Sequence, residues 1–212
     1  MAWPCCIGLR APKLSPFPLF TAVRGIHDVK DAISTPTGGT VPKLMAARQA
    51  VKEIKSGQTI FVHGMAATPT PLLKALCDHA RDENLRNISL IHLLLEGKTP
   101  WTTEEFRGRI RSQSLFAGQN MREPIERGDA DTMSVFLSEI PWLFRRGHIE
   151  LDCALIHIST PDKNGFCSLG TTVDCTRAAI MHAKHRIGKF LSELRSFVLH
   201  ESAVLDIKQQ HR

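Results

Sequence analysis

A chain of 212 residues, 42% hydrophobic and 23% charged, is long enough to bury a sizeable core and has the composition of an ordinary soluble globular protein rather than a disordered one. Its formal charge is +6, but Arg10, Lys13 and Arg24 supply three of those charges within the first 27 residues, which leaves +3 for the rest. So mild a balance gives no argument for nucleic acid and suits at most an anionic ligand. No stretch approaches the ~20 apolar residues that cross a bilayer, so no membrane partner is expected.

Residues 1–27 contain no acidic residue and intersperse Arg and Lys with Trp3, Leu9, Leu14, Phe17 and Phe20, the composition of a mitochondrial targeting segment. Pro4, Pro12, Pro16 and Pro18 make it a poor helix. A secretory signal competes less well, because no uninterrupted apolar core follows a basic start; a plain disordered N-terminus is the third reading. The expected location is the mitochondrial matrix. Residues 28–40, with Pro36 and Gly38-Gly39, read as a linker. Cys5 and Cys6 fall in the leader, while Cys77, Cys153, Cys167 and Cys175 are too scattered for a zinc site or disulfide framework, so no metal is expected and reduced thiols are the default. Cys167 is either a reactive thiol in a glycine loop or, more in keeping with free cysteine, a small buried residue.

After Pro42, Leu44, Ala47, Val51 and Ile54 recur at helical spacing, with Ser56-Gly57 as the stop. QTIFVH, 58–63, reads as the first strand. The small-residue loop from His63 to Pro71 leads into the helix LLKALCDHARDENL, for which Thr70 is the expected N-cap ahead of Pro71. NISLIHLLL, 87–95, is a second strand ending at Glu96, an exposed strand-end acid; 99–127 is a looser stretch with alternating Arg107, Arg109 and Arg111, read mostly as a solvated face. DTMSVFLS, 131–138, reads as a third strand, followed by a short helix, WLFRRG. Leu151 to Ile158 is nearly continuous in apolar residues, as in a strand buried on both faces of a parallel sheet. Pro161, Asp162 and Asn164-Gly165 break it, and a helix is expected from Thr171 or Thr172 to about Lys189, with Val173, Ile180 and Ile187 on its face. The final 22 residues are amphipathic enough for a helix.

Strands alternating with helices predict an α/β fold, a mostly parallel sheet with helices on both faces, Rossmann-like in its connections. Two loops then stand at the carboxyl ends of strands and before helices: one with His63, Gly64, Ala66 and Thr68, the other with Ser168 and Gly170. Small residues let a ligand approach backbone amides there, and a helix N-terminus favours an anion. A tight strand-to-helix connection explains the same residues, and on spacing alone it explains them better. G-x-G-x-x-G is absent, which weakens a dinucleotide reading.

Ser159 through Ala179, with Pro161-Asp162, Gly165-Phe166-Cys167-Ser168-Leu169-Gly170 and Val173-Asp174-Cys175-Thr176-Arg177-Ala178-Ala179, closely resembles the N-terminal half of the acetyl-CoA hydrolase/transferase family, which includes acetate:succinate and 4-hydroxybutyrate CoA-transferases. The resemblance extends back through Leu137-Ser138-Glu139-Ile140-Pro141, Ser114-Leu115-Phe116 and His63-Gly64-Met65-Ala66-Ala67-Thr68-Pro69. It implies a CoA-transferase N-terminal domain over 41–190, with 191–212 standing where the family continues into a second domain. It implies acyl-CoA and small carboxylates such as acetate or succinate as partners, with a coenzyme A thioester as substrate and no other cofactor. It makes His63, Gly64, Ala66, Thr68, Ser168 and Gly170 the expected binding residues and places SLFAGQN, 114–120, near the acyl-CoA site. The family's nucleophilic glutamate belongs to the second half, so no catalytic residue is expected here and Glu96 does not inherit that role. Two functions stay open: half of a CoA-transferase or acetyl-CoA hydrolase, or a non-catalytic form that binds CoA or pairs with a full-length subunit or with itself.

Overall fold

The computed structural model describes residues 43–160, 167–190 and 195–199. The leader over 1–27, the linker over 28–40, the Asn164-Gly165 turn and most of the segment after Phe190 lie outside the described residues. The described strands are β1 (Lys43–Ala46), β2 (Thr59–Val62), β3 (Ile88–His92), β4 (Ile110–Ser114), β5 (Ala130–Thr132), β6 (Leu151–Ile158), β7 (Ala183–Phe190) and β8 (Arg195–Leu199). The helices are α1 (Ala47–Ala50), α2 (Thr70–Asp82), α3 (Gln119–Glu126), α4 (Ile140–Arg145) and α5 (Thr176–His182). All the strands join one sheet in the order β1-β8-β7-β6-β2-β3-β4-β5. From β7 to β5 every pair is parallel; β8 runs antiparallel to both β7 and β1.

Strand alternation sends neighbouring residues to opposite faces, and each face meets its own helices. On one face Ile60, Val62, Ile88, Leu90 and Leu155 pack with Leu72, Leu76 and Ala80 of α2. On the other, Phe61, Ile91, Ala154 and Ile156 pack with Ile140 and Phe144 of α4 and Ala178 and Ala179 of α5. The Phe61 and Phe144 rings meet edge to face, 5.7 Å between centroids. Burying each such side chain contributes about 1.5–3 kcal/mol, so this double layer is the main source of stability. The expected α/β class, with its mostly parallel sheet covered on both faces, is therefore the observed one.

The chain leaves β2 through α2 and winds outward to β3, β4 and β5, then returns to place β6 on the opposite side of β2 and winds outward again to β7. Covering helices change face with the direction of winding, as right-handed crossovers require. A crevice consequently opens where β2 and β6 part, at their carboxyl ends.

Several elements differ from expectation. The helix expected from about 171 to 189 is only α5; Ala183–Phe190 is strand β7, paired in register along β6 from Leu151↔Ala183 to Ile158↔Phe190. An open parallel edge outweighed the helical spacing, and Gly188, about 1 kcal/mol worse than Ala inside a helix, was a local sign of it. Part of the supposed helical tail, Arg195–Leu199, is β8, which covers the outer edge of β7. The first helix is confined to Ala47–Ala50 and a 3₁₀ turn at Val51–Glu53, because Lys43–Ala46 pairs with β8. The third expected strand keeps a ladder only at Ala130–Thr132, since it is the sheet edge and has β4 alone as neighbour. β4 itself lies in the stretch read as loose: IRSQS shows little hydrophobicity, yet Ile110, Ser112 and Ser114 are buried in alternation. Its serines are satisfied, Ser112 Oγ accepting from Trp101 Nε1 at 2.9 Å and Ser114 Oγ donating to the Phe116 carbonyl at 2.6 Å. Arg107 and Arg111 are exposed and Arg109 is half-buried, and all are engaged: Arg107 with Asp129, Arg111 with Asp131, and Arg109 with the Ala80 carbonyl and Asn84.

Candidate functional site

Loop 63–69 follows β2 and loop 167–175 follows β6, so the switch point brings both expected binding loops to one crevice. His63 is fully buried beneath them. Its Nδ1 accepts the His157 backbone N–H at 3.2 Å, which assigns the proton to Nε2; that N–H donates to the Thr172 carbonyl at 2.6 Å. Burial holds its pKa below the ordinary histidine value, against smaller opposing contributions from those two backbone bonds and Asp174. His63 thus ties β2, β6 and the second loop together with a neutral ring whose nitrogens are both occupied.

Gly64 serves the same closure. A Cβ there would stand 2.5 Å from the Leu94 carbonyl oxygen, whose bond from the Met65 N–H is 2.8 Å long. Met65 then takes φ 49°, and Ala66 is left exposed. The Thr68 hydroxyl donates to the Met65 carbonyl at 2.7 Å and accepts the Glu96 N–H at 3.1 Å, locking the loop to the end of β3. Thr70 is not the N-cap: Pro69 occupies that position without a side-chain bond, and Thr70 is the first helical residue. Asn120, in the segment expected near the site, donates to the Leu95 and Gly97 carbonyls at 3.0 and 3.2 Å, pinning the loop that carries Glu96.

In the second loop the Ser168 backbone N–H donates to Ser159 Oγ at 2.9 Å, and Ser168 Oγ accepts the Gly170 N–H at 3.1 Å. Gly170 has φ 72° with open space around it. Asp174 accepts from the backbone and hydroxyl of Thr176 at 3.0 and 2.9 Å, closing the turn before α5. Cys167 is buried, as are Cys77, Cys153 and Cys175; burial pushes the Cys77 thiol up to about 12 and raises those of Cys153 and Cys175. The glycine-loop cysteine is a packing residue.

Two hollows flank the exposed Ala66. One of about 380 Å³ is lined by Ala66, His157, Ser159, Ser168, Gly170 and Thr171, among others. A wider one of about 620 Å³ runs between Met65, Leu93, Leu95, Glu96 and the Thr171–Asp174 turn. Ala66, Ser168 and Gly170 therefore share one wall, whereas Thr68 lines a third hollow of about 430 Å³ beside Glu96, Lys98 and Trp101. His63 and Gly64 are buried beneath these hollows and line none of them. His157 was missed by sequence reasoning: it sits inside an apolar strand run, and only the crevice makes its ring a wall. A hollow of about 230 Å³ near Arg107 and Arg111 lies at the opposite, amino ends of β3 and β4. Among the described residues no group of His, Cys, Asp or Glu is arranged to hold a metal ion, and no helix is long and apolar enough to cross a membrane.

An open, mostly parallel sheet covered by helices on both faces, with a loop-lined crevice at its switch point, defines a domain of the α/β class. Residues 41–194 match the acetyl-CoA hydrolase/transferase N-terminal domain, and the chain belongs to that family. It is 49% identical over 141 residues, 66% of this chain and 29% of the other, to a succinyl-CoA:acetate/propanoyl-CoA:succinate CoA transferase of Fasciola hepatica. It is 34% identical over 143 residues, 67% of this chain and 33% of the other, to a 4-hydroxybutyrate coenzyme A transferase of Clostridium kluyveri. The chain thus spans about a third of the length of these relatives. Among solved structures, RipA from Yersinia pestis shares the fold, with TM-score 0.63 and 23% identity over 79% of this chain and 42% of that one. A 4-hydroxybutyrate CoA-transferase from Porphyromonas gingivalis aligns with TM-score 0.52 and 26% identity over 77% and 38%.

Proposed function

We propose that this chain supplies one wall of the cleft of an acyl-CoA:carboxylate CoA-transferase or acetyl-CoA hydrolase of the acetate CoA-transferase type. The observation that carries this is the joint placement of Ala66, Ser168 and Gly170 around one hollow at the switch point, fixed from below by His63 and Gly64. Open backbone and small side chains there suit a thioester or carboxylate oxygen held by amide donors, which is the electrostatic help acyl transfer needs most.

The chemistry follows from the family. A glutamate carboxylate attacks the thioester carbonyl, and the C–S bond breaks to give an acyl-glutamyl anhydride and CoA thiolate. The thiolate attacks the glutamyl carbonyl, releasing the first carboxylate and leaving a glutamyl-CoA thioester. An incoming carboxylate reverses the two steps; water in its place gives hydrolysis. Among the described residues no acid lines the hollow of Ala66 and Ser168, and in our reading the glutamate belongs to the second half that the family resemblance implies. Coenzyme A thioester is the substrate, and no further cofactor is invoked. The composition of residues 1–27 supports a mitochondrial matrix location.

A second reading is that the chain pairs with a fuller subunit without turning over by itself. Met65, Phe116, Phe136 and Leu137, all just beyond strand carboxyl ends, are exposed, with Phe136 at 77% and Leu137 at 67%. Such an apolar rim favours a covering partner. The experiment is a single-turnover assay of the purified chain with acetyl-CoA, with and without succinate, following free thiol alongside equilibrium binding of acetyl-CoA. Binding without thiol release is expected. Failure to bind acetyl-CoA sinks the cleft assignment, and thiol release abolished by Glu96→Gln sinks the external glutamate.

A further inference from the structure

The hollow beside Ser168 has an asymmetry that its loops do not explain. Among the described residues its lining contains no carboxylate, and the one ionisable side chain there is His157. His157 Nε2 is buried and has no hydrogen-bond partner among the described residues, which is costly for a polar nitrogen unless something supplies the missing bond. Its backbone N–H is already taken by His63 Nδ1, so the ring is held on a strand that cannot shift without breaking the switch-point tie. In the parallel ladder His157 is registered with Lys189, and paired strand positions project to the same face. The ammonium of Lys189 is close enough to help hold the His157 pKa down, after burial and ahead of His63. No bond or ion pair engages Lys189 among the described residues. The hydroxyl of Ser168 accepts one bond and keeps its proton for another partner.

We propose that His157 is a carboxylate-recognition residue of this hollow: a turn of its ring brings the buried Nε2–H to an oxygen of a small mono- or dicarboxylate, while Lys189 supplies the compensating charge and Ser168 a second donor. A volume of about 380 Å³ accommodates such an acid but not a whole acyl-CoA. This deepens the reading above and rests on it only for the identity of the carboxylate as acyl acceptor; recognition of the acid itself needs only the chain.

The test is a titration of the full chain labelled uniformly with ¹⁵N, adding succinate in one series, sodium chloride at matched ionic strength in a second, and coenzyme A in a third. His157 ring signals and the Ser168 and Gly170 amides are expected to move saturably with succinate and not with chloride. His157→Ala and Lys189→Gln should each weaken the succinate response of those amides at least about tenfold, as loss of one hydrogen bond or charge partner to an anion implies. His157→Gln, whose amide N–H lies at the reach of Nε2, should recover much of it. No saturable shift in the native chain, the same shift with chloride, or full retention in Lys189→Gln with an otherwise native spectrum would overturn the proposal. Because the native chain is read directly, a variant that fails to fold does not rescue it. Response to coenzyme A without response to succinate sinks His157 alone; response to succinate without coenzyme A sinks the CoA reading and leaves His157 in place.

Discussion

His63 Nε2 and the Thr172 carbonyl oxygen, 109 residues apart in sequence, lie 2.6 Å apart in a fully buried contact. With the bond from the His157 N–H to Nδ1, one side chain fastens the loop after β6 to the ends of β2 and β6. His63→Ala should therefore destabilise the chain by roughly 2–4 kcal/mol, from a cavity plus two orphaned backbone groups. Urea unfolding measures it, and amide exchange should speed up locally at Thr172–Thr176. A change below about 0.5 kcal/mol, the range of ordinary surface substitutions, would deny the tie its role.

Gly64 and Gly170 should respond differently to alanine. At Gly64 the added Cβ meets the backbone carbonyl of Leu94 at 2.5 Å, so the loop must move, at a cost of about 1–3 kcal/mol typical of overpacking. At Gly170 the space is open and only the left-handed φ of 72° resists, about 1–2 kcal/mol. Chemical shifts of Met65 and Leu94 should change in Gly64→Ala and stay put in Gly170→Ala. Shifts at Leu94 in both variants would contradict this distinction.

Acid should weaken the fold through His92. Burial lowers its pKa from 6.5 to about 4, so between those values the unfolded chain binds more protons than the folded one. The contribution is complete above pH 6.5 and is lost as pH falls toward 4, on the order of 3 kcal/mol in all. His63, also lowered, acts in the same direction. Unfolding midpoints at pH 7.5, 5.5 and 4.5 should fall less steeply in His92→Leu than in the native chain. Parallel slopes would show that His92 is not a source of the acid sensitivity.

The apolar rim should govern solution behaviour. Phe136→Ser with Leu137→Ser removes two side chains exposed at 77% and 67%, with little expected effect on stability because neither is in the core. Sedimentation velocity should show the native chain self-associating and the double variant shifted toward monomer. A native chain that is already a monodisperse monomer would count against a covered rim.

The densest local patterns agree with the structure. Strands β2, β3 and β6 and helix α2 are dense apolar or amphipathic segments whose burial follows from their own residues. Gly57, at φ 79°, makes the turn into β2, whereas the helical segment expected to stop there ends already at Glu53. The candidate loops were legible because small residues after a strand have few uses besides a tight turn or a ligand.

What escaped was set by neighbours. IRSQS becomes β4 because its serines find Trp101, His92 and the Phe116 carbonyl, partners that no window of sequence contains. AKHRIGKF becomes β7 because β6 offers an open edge, and hydrogen bonds along that edge outweigh a weak helical preference. The sequence by itself determined the α/β class, the buried strands and the two loops that carry the small residues. Only the tertiary structure decided that these loops meet, since the reversal of strand order around β2 joins them across about a hundred residues and turns His157 from a strand residue into a wall of the crevice.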